Sequence, residues 1–189
     1  MGKVFAEVDG QLADWIGRQK IFFVATAPLA QSGHVNLSPK GYDTLRLLSP
    51  TAVAYLDTGG SGTETIAHIK ENSRITIMLC AFEGPPRIVR LHGLGTIVEP
   101  GDEDFEELLA GFPEHRVARS VVRIELTRIA DSCGFGVPLF DYQGERDSLD
   151  KFLSHKKRDE VDAYFDEANA TSIDGLPARR VGARRTGES

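Results

Sequence analysis

The sequence predicts a mainly β protein, an antiparallel barrel with peripheral helices and a helical extension at its C-terminal end. Short apolar runs rich in β-branched and aromatic residues recur between residues 21 and 130, and Gly, Pro and Ser separate them. Only two helical patterns interrupt these runs, so the order of elements differs from a βαβ repeat. The 189 residues are 41% hydrophobic and 26% charged, which suits one domain with an appended segment.

The predicted elements follow one another along the chain. A short helix is expected over residues 10–19, where apolar residues recur at helical spacing. Two further helices are expected over residues 61–72 and over the acidic residues 101–112. Strands are expected where apolar and β-branched residues dominate, over residues 21–27, 35–41, 44–49, 51–57, 74–82, 87–99 and 120–130.

The composition changes after residue 131. The stretch DSCGFGVPLFDYQGERD is irregular and rich in Gly and aromatic residues, and residues 145–170 are predicted to form one charged helix. Residues 171–189 carry several arginines and are predicted to be a flexible tail. We therefore expect a barrel domain over 1–131 and a loop and helix over 132–170 that pack on the barrel or on a second subunit.

Charge and cysteine content narrow the class of protein. The net charge of −6 does not favour a nucleic-acid partner, and no apolar run approaches the ~20 residues that span a bilayer. Cys80 and Cys133 lack the spacing of a disulfide framework or zinc site, which is typical of a cytoplasmic protein. Glu64 and His68 share one helix face but have no third ligand, so no metal site is predicted.

The stretch DTGGSGTETIAHIKENSR, residues 57–74, carries a glycine-rich turn into a helix. A helix N-terminus attracts anions, and the hydroxyls of Ser61, Thr63 and Thr65 add donors for a phosphate. The same residues match a capping box, in which Ser61 and Glu64 would satisfy the helix start themselves. The stretch alone leaves both interpretations open.

Two other motifs carry candidate binding residues. In NLSPKG, residues 36–41, Lys40 stands at a strand end and could meet a phosphate, or could be a surface lysine beside a turn. In RIVRLHG, residues 87–93, Arg90 and His92 point to one side of a strand. That side is either a ligand surface or a solvated outer face of the barrel.

A further candidate lies in SCGFG, after the last predicted strand. Cys133 is either a reactive thiol or a small buried residue in a tight turn, and the second interpretation is favoured.

The order of these motifs resembles the pyridoxamine 5′-phosphate oxidase-like, FMN-binding split-barrel superfamily. The matching pieces are VNLSPKG, VAYLDTGGSGTETIAHIKENSRITIML and RIVRLHG, over roughly residues 20–130. The SPKG, TGGSGTET, GPPRIVRLHG and SCGFGVP stretches are similar to a bacterial subgroup of predicted flavin-nucleotide-binding proteins. The resemblance implies a split β-barrel homodimer with FMN in the groove between two barrels.

The resemblance also implies roles for individual residues. Lys40 matches the strand-terminal lysine that meets the FMN phosphate. The strand that borders the isoalloxazine ring matches Asn36, Leu37 and Ser38. Apart from the resemblance, aromatic and Gly-rich loops pack well on flat ligands, so SCGFGVP, with Cys133 and Phe135, and Tyr142 are expected to cover the ring from the partner subunit.

The chain departs from the family pattern in three places. Thr63 and Thr65 fall on the Ser and Lys of the S-R-K phosphate motif, and Glu64 falls on its Arg. The phosphate would then rely on Lys40, on hydroxyls and on the helix N-terminus. Ile88 replaces a glutamine that touches the flavin, and the C-terminal part lacks the W-x-R pattern of the true oxidases. Oxidation of pyridoxamine phosphate is therefore not expected.

The resulting hypothesis is an FMN-dependent oxidoreductase that acts on an unidentified small substrate with a reduced nicotinamide or another electron donor. No side chain stands out as a general acid or base. Two alternatives stay open: a deazaflavin-dependent reductase or haem-binding relative on the same barrel, and a flavin-binding regulatory protein without turnover.

Overall fold

Eight strands form one antiparallel sheet in the computed structural model, which describes residues 2–113, 118–153 and 155–184. The strands are β1 (Val4–Phe5), β2 (Phe22–Thr26), β3 (Asn36–Lys40), β4 (Leu45–Ser49), β5 (Ala52–Thr58), β6 (Arg74–Cys80), β7 (Ile88–Val98) and β8 (Ala118–Ser132).

The strand order is β3-β2-β6-β7-β8-β5-β4, and β1 pairs with β8. The predicted mainly β fold is therefore confirmed, and each predicted strand overlaps an observed one. Only β1 was not predicted, because two residues are too short to show an alternating pattern.

Within the described part of the chain, five helices lie around the sheet. They are α1 (Gly10–Arg18), α2 (Glu64–Asn72), α3 (Phe105–Leu109), α4 (Ser148–Leu153) and α5 (Arg158–Ala168). The prediction of a single helix over 145–170 is wrong, because α5 has a start of its own. Lys157 is extended there, and its N–H donates to the Glu160 carboxylate at 2.8 Å.

The main core lies on the inner side of the sheet. Alternate residues such as Val24, Ile77 and Leu91 are fully buried there and pack with Leu12 and Ile16 of α1. Their neighbours in sequence point to the other side, which is less buried. The strand alternation thus creates two different surfaces from the same strands.

Residues 158–184, called the C-terminal segment below, pack against the barrel. Ala178, Arg179 and Ala183 are buried, and Arg179 forms ion pairs with Asp162 and Asp166 of α5. These contacts differ from the flexible tail expected over 171–189, whose last five residues lie outside the described part. Among the arginines that suggested a solvated tail, Arg179 and Arg184 instead neutralise carboxylates of α5, and Arg180 pairs with Asp102.

Within the described residues, no helix is both long enough and apolar enough to cross a membrane.

Candidate functional site

Strand β3 divides the predicted binding residues between two surfaces. Ser38 pairs with Val24, and Asn36 pairs with Thr26, so both side chains point to the inner side of the sheet. Leu37 and Pro39 alternate with them and point outward. The three residues expected to border the flavin ring together therefore do not share one face, because the side-chain period of a strand is two.

The inner side of β3 meets the start of α2 in a region that we call the inner corner. A chain of hydrogen bonds begins there at Ser38, whose hydroxyl donates to Asn36 Oδ1 at 2.8 Å. The Asn36 amide donates to the hydroxyls of Thr65 at 2.9 Å and Thr26 at 3.2 Å. Asn36 and Thr65 are thus brought together, and they bind each other.

The network ends on a buried histidine. His68 Nδ1 lies 2.9 Å from the hydroxyl of Thr26, while its Nε2 has no hydrogen-bond partner among the described residues. Burial lowers the pKa of His68 despite nearby carboxylates that raise it, so the ring is neutral near neutral pH. His68 is buried and not at the helix surface, and the described residues contain no group of three or more metal-ligating side chains.

Lys40 lies at the other end of the inner corner and binds a buried carboxylate. Its Nζ donates to Asp57 Oδ1 at 3.0 Å. The second oxygen of Asp57 accepts from Arg119 Nε at 2.9 Å and Nη2 at 2.7 Å. Burial alone would raise the pKa of Asp57, and the charges and hydrogen bonds of Arg119 and Lys40 overcome it and lower the pKa to about 2.

Asp57 and Arg119 were missed at the sequence level. A signal was present for Asp57, a charged residue near the end of the otherwise apolar strand β5, because such a residue is rarely buried without a partner. The sequence did not single out Arg119 as that partner, since β8 carries several other charged residues.

The predicted capping box at residues 61–64 is not formed. Helix α2 begins at Glu64, and Thr63 is its N-cap residue without a side-chain capping bond. The Glu64 carboxylate accepts from the backbone N–H of Ile173 at 3.3 Å instead, while Ser61 is exposed. The capping-box interpretation is wrong because the Glu64 carboxylate accepts its hydrogen bond from Ile173 of the C-terminal segment and not from Ser61.

The C-terminal segment also covers the glycine-rich turn. The side chain of Asn169 donates to Gly60 O at 3.0 Å, and the Thr63 hydroxyl donates to Asn169 O at 3.3 Å. Arg119 adds a hydrogen bond to Gly62 O at 2.8 Å. An ideal Cβ on Gly59 would lie 1.9 Å from the ring of Phe165, so the aromatic ring touches the turn.

On the other side of the sheet, two cross-strand rows form what we call the outer face. One row runs Pro39, Phe23, Met78, Arg90, and the other runs Leu37, Ala25, Thr76, His92. Leu37 is 63% exposed. Arg90 and His92 therefore share a face with Leu37, as the strand pattern predicted for the first two, but not with Lys40.

The polar groups of the outer face make few contacts. Arg90 Nη1 donates to the Ser132 hydroxyl at 3.1 Å, and His92 Nδ1 lies 3.0 Å from the hydroxyl of Thr76. Burial and the neighbouring Arg128 and Arg90 lower the pKa of His92, so it is neutral near neutral pH.

The loop that follows β8 exposes its side chains. Cys133 is exposed, which contradicts the favoured prediction of a buried residue, and Phe135 is 82% exposed. Further along, the Phe140 ring stacks on Phe82 at 5.3 Å, and the Phe140 N–H donates to Phe82 O at 2.9 Å. The loop thus closes over the turn between β6 and β7.

This loop and the end of β3 enclose the aromatic cavity, whose volume is about 1100 Å³. Its rings belong to Trp15, Phe23, Tyr42, Phe82, Phe140 and Tyr142. Both Pro39 and Lys40 line it, so the cavity adjoins the outer face and reaches the lysine of the inner corner. The sequence could not reveal it, because its walls come from four distant stretches.

The aromatic cavity fits the ring of FMN, whereas the inner corner does not fit its phosphate. The aromatic cavity is large enough for a flat tricyclic ring, and aromatic walls suit such a ring. The inner corner does not fit a phosphate, since Lys40, Thr63, Glu64 and Thr65 all bind other parts of this chain.

Comparison with known proteins identifies relatives of the whole chain. A family model described as pyridoxamine 5′-phosphate oxidase matches residues 8–133. The pyridoxamine 5′-phosphate oxidase family protein ustO of Aspergillus flavus is 37% identical over 201 residues, which cover 97% of this chain and 80% of that protein.

Two solved structures share the fold at low sequence identity. A variant of HupZ from Group A Streptococcus has a TM-score of 0.51 and 22% identity, over 66% of this chain and 99% of that one. A candidate pyridoxamine 5′-phosphate oxidase from Lactobacillus delbrueckii has a TM-score of 0.50 and 16% identity, over 67% and 98% of the two chains. Together with the family match, they confirm the predicted split β-barrel.

Proposed function

Because the chain belongs to the pyridoxamine 5′-phosphate oxidase family, we propose that it is a flavin-binding oxidoreductase that acts on a small molecule. The flavin ring would be held by the aromatic cavity and the adjoining outer face. The observation that carries this proposal is the position of the cavity, which begins at Phe23 and Pro39 of the outer-face row that ends on Arg90.

The walls of the cavity suit a planar ligand. Burying a flat ring between aromatic side chains removes apolar surface from water and allows stacking. The stack between Phe82 and Phe140 holds the loop over the cavity and would limit the access of water. A cavity of about 1100 Å³ also leaves room for a second small molecule beside the ring.

A bound flavin would supply the electron transfer, and the chain would supply position and electrostatics. Arg90 places a positive charge on the outer face beside the cavity. His92 adds a neutral ring two residues further along the same strand, where it can hydrogen-bond without adding charge.

A homodimer is part of this proposal. The outer face and the loop after β8 expose large apolar side chains, including Leu37, Phe135 and Leu139. A second copy of the chain would cover them and, with them, the open side of the flavin site. The substrate and a reduced nicotinamide or other electron donor would reach the ring through the remaining opening.

The first test is the absorbance spectrum of the purified protein before and after titration with FMN. Flavin bands, or saturable quenching of added FMN, support the proposal. Bleaching by NADH or NADPH in stopped flow separates an oxidoreductase from a flavin carrier without turnover. A Soret band, deazaflavin bands, or no binding of any flavin would contradict it.

A matched pair of variants tests the location of the site. Leu37→Glu places a charge on the outer face and should weaken flavin binding by at least about tenfold and reduce dimerisation. Leu29→Glu is the control, because Leu29 is also 63% exposed but lies in the loop between β2 and β3. Equal effects of the two variants on binding and on sedimentation would place the flavin elsewhere.

A further inference from the structure

We infer that the C-terminal segment takes the place of a cofactor phosphate at the start of α2, so that this chain recognises a flavin by its ring alone. Riboflavin should then bind about as tightly as FMN. The inference rests on the proposed function and concerns which flavin the same site selects.

The side chains of Thr63, Glu64 and Thr65 at the start of α2 are already engaged within the chain. Thr63 donates to Asn169 O, and Thr65 accepts from Asn36. Glu64 presents a carboxylate that accepts from Ile173 N–H. A phosphate placed here would break these contacts and meet a like charge, which is unfavourable in a partly buried site.

The backbone of the glycine-rich turn also points its carbonyls, and not its N–H groups, at neighbouring side chains. The carbonyls of Gly60 and Gly62 point towards donors of Asn169 and Arg119. A turn that binds phosphate presents N–H groups to the anion, whereas this one presents carbonyls to an amide and a guanidinium. The ring of Phe165 lies against Gly59, on the residue whose lack of a side chain would let a ligand approach.

The two nearby cations, Lys40 and Arg119, are already paired with a carboxylate. Arg119 is 3% exposed and makes two hydrogen bonds to Asp57, which also holds Lys40. One buried carboxylate therefore already neutralises half of the positive charge of the corner. With Glu64 beside it, the corner offers no net charge to attract a dianion.

The aromatic cavity does not supply a substitute phosphate site. Lys40 and Arg87 in its wall are paired with carboxylates, Asp57 and Asp131. The other charged residues of the wall balance one another, with Arg18, Lys20 and Arg146 against Glu83, Asp141 and Glu145. The wall as a whole thus favours a ligand of low charge.

The parts of the chain that close the corner lie outside the residues that the family model matches. The family model ends at residue 133, whereas Asn169 and Ile173 belong to the C-terminal segment. The alignment with ustO covers 97% of this chain. The closure is therefore built by a part of the chain outside the matched family region.

Titration of the flavin-free protein with FMN and with riboflavin, followed by flavin fluorescence, tests the inference. We expect dissociation constants within about fivefold of each other, since a single charge-assisted bond to the phosphate would make FMN at least about tenfold tighter. A larger preference for FMN overturns the inference and leaves the proposed function standing. Failure of both flavins to bind overturns the proposed function and this inference with it.

The variant Glu64→Gln tests whether the start of α2 affects the preference for FMN over riboflavin. Glu64→Gln removes the negative charge but keeps an oxygen for the Ile173 N–H. The ratio of the FMN and riboflavin constants should stay within about twofold of the wild-type ratio, as it should in the control Glu106→Gln on α3. A gain in FMN preference in Glu64→Gln alone would show a phosphate at the corner and overturn the inference.

Hydrogen exchange of the backbone amides measures whether the C-terminal segment stays at the start of α2. If the C-terminal segment stays in place, the amides of residues 169–179 should exchange at equal rates with saturating FMN and with saturating riboflavin. Faster exchange there with FMN alone would mean that a phosphate displaces the segment, and would overturn the inference.

Discussion

The inner corner and the outer face lie on opposite sides of strand β3, and they differ in how their polar groups are satisfied. At the inner corner, Asn36, Lys40 and Thr65 each bind another residue of the chain. On the outer face, Leu37 is well exposed, and Arg90 Nη1 donates a hydrogen bond to the Ser132 hydroxyl. Neighbouring residues of β3 therefore differ in role: those facing inward bind the rest of the chain, and those facing outward stay exposed.

This difference shows why a motif alone is a weak guide to a ligand. Residues that look suited to a phosphate are equally suited to the carbonyls, amides and carboxylates of the same chain. The outer face, whose residues could equally have formed a solvated exterior of the barrel, is the surface that leaves side chains exposed for a ligand. The comparison can be tested by changing residues that hold the corner together and measuring stability.

The largest effect is expected for Arg119→Ala. The change leaves Asp57, which is 1% exposed, with Lys40 as its remaining cation and removes hydrogen bonds to the glycine-rich turn. Breaking a buried ion pair in this way should lower the free energy of unfolding by about 3–5 kcal/mol. Urea unfolding followed by circular dichroism measures it.

The control for that variant lies on the same strand. Arg123 is 45% exposed and faces Glu125 at 3.4 Å, so Arg123→Ala should cost less than about 0.5 kcal/mol. Equal losses in the two variants would mean that the inner corner is not held together by its buried charges.

A similar but smaller loss is expected for Gly59→Ala. The added methyl group would overlap the ring of Phe165, so either the turn or α5 has to move. We expect a loss of about 3 kcal/mol and faster proteolysis of the C-terminal segment. In Gly60→Ala the methyl group meets nothing within 4 Å, and that variant should unfold like the wild type. If Gly59→Ala were as stable as the wild type, the result would contradict the packing of the C-terminal segment on the turn.

The acid sensitivity of the protein should depend on Asp57. Its pKa is about 2 in the folded protein against 3.8 ordinarily, so the unfolded chain takes up the proton first as the pH falls. Stability from this group is present above about pH 4 and is lost towards pH 2, for a total of about 2 kcal/mol.

Comparison with Asp57→Asn isolates that contribution, because other carboxylates with lowered pKa values, such as Asp131, remain in both proteins. Between about pH 6 and pH 2, the wild type should lose about 2 kcal/mol more than Asp57→Asn in urea unfolding. Parallel pH profiles would show that Asp57 is not held as a buried anion.

The local elements of the barrel were accessible from sequence because they depend on neighbouring residues. Alternating apolar residues located the main strands, and the motif order indicated the family. The break between α4 and α5 was missed, since charged residues on both sides of it suit a helix equally well. The capping box at Ser61 was also predicted from local spacing, and a residue 109 positions from Glu64 displaced it.

By itself, the sequence determined the strands, the family and the set of residues from which a site can be built. Only the tertiary structure decided which of them meet, because hydrogen bonds and ion pairs depend on distance in space and not along the chain. Asp57 forms an ion pair with Lys40, and the C-terminal segment forms hydrogen bonds with Thr63 and Glu64. The burial of those groups made such pairing necessary, since an unpaired polar group away from water is costly.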